Sequence, residues 1–221
     1  MPLSDRDYYR DSDGSGSGWG GGGDVFSRIM RWLNASFPIG TYLGIRVRVH
    51  ITFFLLLIFR LFHEGDPVFT LRWTALLFIS VLLHEFGHCL ACRRVGGIAN
   101  DVLMWPLGGL AMCHPPRRPW AEFVTVVWGP LVNVILGGLS LAVLLIMTGP
   151  NELPVSLNPL RPWTAYYAAA GPVGNLIADL FVVNYILLLF NLALVFYPFD
   201  GGRLVQIAMW TKLGYGKSLR L

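Results

Sequence analysis

The stretch Trp73–Gly97, WTALLFISVLLHEFGHCLACRRVGG, decides how this chain is read. Eleven uncharged residues, Trp73–Leu83, lead into His84-Glu85-Phe86-Gly87-His88. On a helix, an H-E-x-x-H pattern sets two imidazoles one turn apart on one face, where both reach one metal ion, with the glutamate placed to act as a base on water. Such a site normally holds zinc with three protein ligands and an open fourth position. A soluble zinc enzyme has no reason to surround the motif with bilayer-grade hydrophobicity, so the site is expected within a membrane.

Composition agrees. Of 221 residues, 54% are hydrophobic and 14% charged, against about 25% charged in soluble domains. The expected fold is an all-α polytopic membrane protein with about four transmembrane helices, over Ile51–Phe62, Trp73–Arg93, Ala121–Thr148 and Asn175–Phe199. The first is short for the roughly 20 residues a crossing needs. Residues 1–24 form a polar tail rich in Gly, Ser and Asp, expected to be disordered and not a signal peptide. Residues 25–44 are expected to be an interfacial amphipathic segment, helical over Val25–Phe37, and residues 45–221 the membrane-embedded core. Tyr42–Thr52 alternates apolar and basic residues with strand periodicity. Asn151–Pro162 reads as a loop, Ala165–Gly174 as a half-helix broken at Gly171 and Pro172, and Arg203–Leu213 as an interfacial helix.

Basic residues near the span ends set the expected topology. Arg46, Arg48, Arg93, Arg94, Arg117, Arg118, Arg203, Lys212, Lys217 and Arg220 fall on one side, and only Arg60, Arg72 and Arg161 on the other. Both termini are therefore expected in the cytosol, and HEFGH in the cytosolic half of its span. His84 precedes Arg93 by nine residues, or roughly 13 Å at the helical rise. No basic stripe interleaved with exposed aromatics is present, so nucleic acid is not an expected partner. Cys89 and Cys92 form C-x-x-C beside the motif and Cys113 stands apart; the pair reads as helix packing rather than as redox or metal chemistry, since no second pair completes a tetrahedral site.

Two histidines need a third ligand. Glu64, Asp66 and Glu152 belong to the opposite membrane face, and Asp179 to the outer end of its span. Asp101 and Glu122 flank the cytosolic boundary and stay open on depth. Asp200, in PFDGG (198–202), sits where Pro198 ends a span and Gly201 and Gly202 free the backbone to turn. A carboxylate at that depth requires a counter-charge. Zinc supplies one; capping of the following helix is the competing role.

In order, the chain shows VRVHITFFLL (47–56), LLHEFGHCLACRRVGG (82–97), DVLMWPLGGLAM (101–112), WGPLVN (128–133) and FNLALVFYPFDGGRL (190–204). Together these resemble the site-2 protease family of intramembrane zinc metalloproteases. The resemblance implies that His84, His88 and Asp200 bind one Zn²⁺ and that Glu85 is the general base. It further implies that Asn133 of GPxxN stabilises the tetrahedral intermediate; the competing role is a hydrogen bond to a neighbouring span. It adds a short membrane-associated β segment over Val102–Met112, whose edge around Pro106–Gly109 would pair with substrate. One departure stands out: Asn191 precedes Asp200 by nine residues rather than the family's eight, with Leu194 at the proline position.

The expected function is hydrolysis of peptide bonds in or near transmembrane helices. The expected partners are a transmembrane protein substrate and the lipid bilayer, with an oligomer or a regulatory membrane partner also conceivable. The expected location is a bacterial inner membrane. A catalytically silent membrane relative that acts as a binding partner is the alternative, which Glu85 argues against, since a structural metal needs no base. A metal transporter would call for an internal repeat that the chain lacks.

Overall fold

The computed structural model describes residues 35–105, 108–149, 155, 157–158, 171–194 and 199–213. The polar tail, the 25–34 part of the amphipathic segment, most of the 151–162 loop and residues 165–170 lie outside these.

The chain alternates between sheet and helix at its start. Strands β1 (Ser36–Tyr42) and β2 (Ile45–His50) form a hairpin; helices α1 (Ile51–His63) and α2 (Pro67–Arg94) follow; then come strands β3 (Ile98–Trp105) and β4 (Gly108–His114). The last elements are helices α3 (Pro119–Thr148), α4 (Gly171–Ala193) and α5 (Asp200–Leu213). The strands lie in the order β1-β2-β3-β4, with β2 and β3 parallel and the other pairs antiparallel. A parallel pair needs a crossover, and here α1 and α2 provide it.

The sheet is larger than the short β segment expected over Val102–Met112. The alternation over Tyr42–Thr52 corresponds to β2, whose Ile45, Val47 and Val49 are buried. Strand β1 was not expected, and it takes in Ser36 and Phe37, the end of the anticipated amphipathic helix. Its turn is Leu43-Gly44, both residues at positive φ (52° and 71°), as a two-residue hairpin turn matched to strand twist requires. A leucine is strained there. Arg93, at the end of α2, offsets that strain by donating to the carbonyls of Leu43 (2.6 Å), Gly44 (2.7 Å) and Ala99 (2.8 Å). One guanidinium thus holds the hairpin and β3 against α2.

The sheet's inner face, Ile45, Val47, Val49, Val102 and Met104, packs on Val81, Cys89 and Cys92 of α2. Cys89 and Cys92 therefore serve the core, and all three cysteines are free thiols. Three helices among the described residues are long and apolar enough to cross a membrane: α2, α3 and α4. Helix α1, at 13 residues, spans roughly 20 Å, short of a 30 Å hydrocarbon core. The described helix α4 runs from Gly171 and stops at Ala193, six residues before the expected end of that span; the segment that would precede a break at Gly171 lies outside the described residues. Helix α5 starts at Asp200, so Gly201 and Gly202 lie in its first turn. Their expected role as a free turn is corrected by the packing: a Cβ on Gly201 would come 2.5 Å from the carbonyl oxygen of Leu192, so the missing side chain lets α5 approach the end of α4.

Asp179 is wholly buried on α4 and accepts from Arg72 of α2 at 2.8 and 2.9 Å. Arg72→Met withdraws a counter-charge from a buried carboxylate. With Arg72 itself 30% exposed, the expected loss is about 3 kcal/mol, the low end for a broken buried pair. Thermal unfolding in detergent measures it.

Candidate metal and catalytic site

Asp66 caps α2 by accepting from the amides of Val68 and Phe69, and Pro67 fixes its first turn. The helix runs unbroken through His84, Glu85 and His88, which are 4%, 6% and 4% exposed. Helix α3 packs along this face and supplies an acceptor to each imidazole. The carbonyl oxygen of Thr125 lies 2.8 Å from Nδ1 of His88, and Oδ1 of Asn133 lies 3.0 Å from Nδ1 of His84. A backbone carbonyl only accepts, so His88 carries its proton on Nδ1 and presents a lone pair at Nε2.

The two Nε2 atoms stand 3.0 Å apart. Asp200, at the start of α5, sets Oδ2 3.2 Å from Nε2 of His84 and Oδ1 3.4 Å from Nε2 of His88. These three residues are the described His, Cys, Asp and Glu side chains that cluster closely enough to hold one ion. Three lone-pair donors forced this close repel one another unless a cation lies among them. Oδ2 of Asp200 is buried, and although it lies near His84 it is not aligned to hydrogen-bond. A tetrahedral zinc site with bonds of 2.0–2.1 Å requires ligand separations of about 3.3 Å, and the observed 3.0–3.4 Å match it. The donor set therefore fits zinc.

Every other described acidic candidate is engaged elsewhere or stands apart. Asp101 pairs with Arg48, Glu64 bonds Arg60 and Thr70, Asp66 caps α2, Asp179 binds Arg72, and Glu122 lies in the first turn of α3. Among the described acidic residues, Asp200 is the one whose carboxylate converges with both imidazoles.

Glu85 points to the sheet. Its Oε2 accepts from the backbone amide of Ala111 on β4 at 2.8 Å. Strand β4 is the edge strand of the sheet on this side. A cavity of about 250 Å³ opens there, lined by His84, Glu85, His88, Asp200, Gly108–Ala111, Asn191 and Arg203 among others. Asn133, expected to face a reaction intermediate, does not line it. Pro106 and Leu107 of the anticipated edge lie outside the described residues, whereas Gly108 and Gly109 open β4. A Cβ on Gly109 would overlap Cγ of Glu85, so this glycine makes room for the Glu85 side chain.

Several participants were missed from the sequence. The Thr125 carbonyl and the Ala111 amide are backbone groups and leave no signature. Arg203 gave a topology signal only, although its place three residues after Asp200 puts both on one helical face.

The model for "Peptidase family M50" matches residues 73–218. The chain is 31% identical over 191 residues to zinc metalloprotease MJ0392 of Methanocaldococcus jannaschii, covering 86% of this chain and 50% of that protein. It is 30% identical over 146 residues to putative zinc metalloprotease Rip3 of Mycobacterium tuberculosis, covering 66% of this chain and 32% of that protein. The chain therefore spans half or less of the length of these relatives. A solved structure, the site-2 protease from Methanocaldococcus jannaschii, superposes with a TM-score of 0.62 at 29% identity, covering 84% of this chain and 77% of that one.

Proposed function

This chain belongs to peptidase family M50, and from that premise we propose that it is an intramembrane zinc metalloprotease acting on transmembrane protein substrates. The observation that carries the reading is the meeting of His84, His88 and Asp200, with Glu85 beside them at a cavity. In this reading those three residues hold the metal and Glu85 is the base. Zinc, when bound, supplies a Lewis acid that polarises the scissile carbonyl and makes water more acidic. Glu85, steadied at Oε2 by Ala111, has Oε1 left to take a proton from the attacking water and to return it to the departing amine. The amide of Asn191 and the guanidinium of Arg203 are polar groups at the cavity that can meet a substrate carbonyl. A substrate helix must unwind before its carbonyls can enter.

Three full crossings, with α1 as a fourth and shorter one, return the chain to the side of Arg93, Arg94, Arg117 and Arg118. By the charge rule that side is cytosolic, which supports cytosolic termini, and a bacterial inner membrane is the setting we infer. The site then lies below the inner leaflet surface, with water reaching it from the cytosol.

Asp200→Ala is expected to bring metal content from about one zinc per chain to near none, with cleavage of a transmembrane substrate lost in step. Mass spectrometry of the metal in purified protein checks this; zinc retained in full by Asp200→Ala would refute the ligand assignment.

A further inference from the structure

We infer that Asn133 is a positioning residue for His84: its amide oxygen holds the Nδ1 proton and so leaves Nε2 free to bind metal. This rests on the zinc-peptidase reading and deepens it. Asn133 is 1% exposed, its Oδ1 sits 3.0 Å from Nδ1 of His84, and it does not line the cavity where substrate would lie. Its Nδ2 is buried with no hydrogen-bond partner. The reversed amide, donating Nδ2–H to Nδ1, would push the imidazole proton onto Nε2, toward Asp200 and His88, and close the donor set. The oxygen-to-histidine orientation is therefore the one compatible with three converging lone pairs. The arrangement also repeats. Thr125, eight residues earlier on α3, gives His88 the same support through its carbonyl, so two turns of one helix fix both imidazoles, themselves one turn apart on α2. The two supports differ in how they can be removed. Thr125 acts through backbone that any residue supplies, whereas His84 depends on the Asn133 side chain.

An outer ligand partner of this kind changes metal affinity about 10- to 100-fold when removed. The test uses the purified full chain in detergent, with zinc affinity read by chelator competition and the unfolding midpoint of the metal-free protein read alongside. Asn133→Leu is expected to bind zinc 10- to 100-fold more weakly with its metal-free midpoint little changed. Asn133→Asp, which also accepts from Nδ1–H, is expected to restore near-wild-type affinity and kcat at saturating zinc. Should Asn133→Leu fail to fold, Asn133→Ala is read by the same criterion. Unaltered affinity in the Leu or Ala variant overturns the inference. So does an Asp variant with full affinity and lost kcat, which marks Asn133 as a donor to the reacting carbonyl. A wild-type chain that takes up no zinc overturns the metal reading, and this inference with it.

Discussion

Glu85→Gln is expected to retain zinc and lose cleavage of a transmembrane substrate by about 10²- to 10⁴-fold, the usual contribution of a positioned base. The geometry makes this substitution specific. A glutamine oxygen still accepts from the Ala111 amide that Glu85 holds at 2.8 Å, so the side chain stays in place against β4. Its neighbours His84 and His88 keep their supports from Asn133 and Thr125 on another helix. What is removed is the ability to carry a proton. Glu85→Ala is a coarser probe, because it also releases the Ala111 amide and opens space beside Gly109. Cleavage of a reporter in proteoliposomes, with zinc quantified in the same preparation, separates the two effects. A Glu85→Gln protein that cleaves at the wild-type rate removes the base from the mechanism and the peptidase reading with it.

The parts of this site that were legible in the sequence are those whose chemistry is local. His84, Glu85 and His88 sit within little more than one turn of one helix, and the i, i+4 spacing alone sets the two histidines on one face. Asp200 was legible because a carboxylate beside an apolar segment demands a partner, but Asp101 and Glu122 satisfied the same depth condition. What sets them apart is tertiary: Asp101 is paired with Arg48, and Glu122 is not in the cluster of His84, His88 and Asp200. The sheet was half legible. Strand β2 shows its alternation because one face is buried and the other carries arginines. Strand β1 contains Pro38 and Gly40, and Gly40 follows a register shift in its pairing with β2. Its turn is Leu43-Gly44 rather than a dipeptide favoured at positive φ, and its stabiliser, Arg93, lies 50 residues away from Leu43. Periodicity cannot report a contact of that range. The extent of the fourth apolar segment was overread for a related reason: hydropathy continues past Ala193, while the close approach of α5 at Gly201 depends on tertiary packing.

Gly129→Ala is expected to abolish zinc binding and to lower cleavage by at least about 10²-fold, the penalty of misplacing reacting groups by an ångström. Gly129 lies on α3 where the helix passes over the two imidazoles. A Cβ there would overlap Nε2 and Cε1 of His88 and come within 2.8 Å of Nε2 of His84, occupying the space where the donor lone pairs converge. Neither ring can yield cheaply, because Thr125 and Asn133 pin their far sides from the same helix. On propensity alone, the change favours the helix by about 0.8–1 kcal/mol, so a loss of function cannot be charged to a weaker α3. The contrast is Gly138→Ala on the same helix, where a Cβ meets nothing within 4 Å; that variant is expected to bind zinc and cleave as the wild type does. Zinc content and unfolding of the metal-free protein, measured for both variants, divide the outcomes. A Gly129→Ala protein with a full zinc complement would mean that α3 does not press on the imidazoles as the geometry requires. A Gly129→Ala protein that folds, lacks zinc and is inactive, beside an intact Gly138→Ala, locates the requirement for a bare backbone at the metal itself.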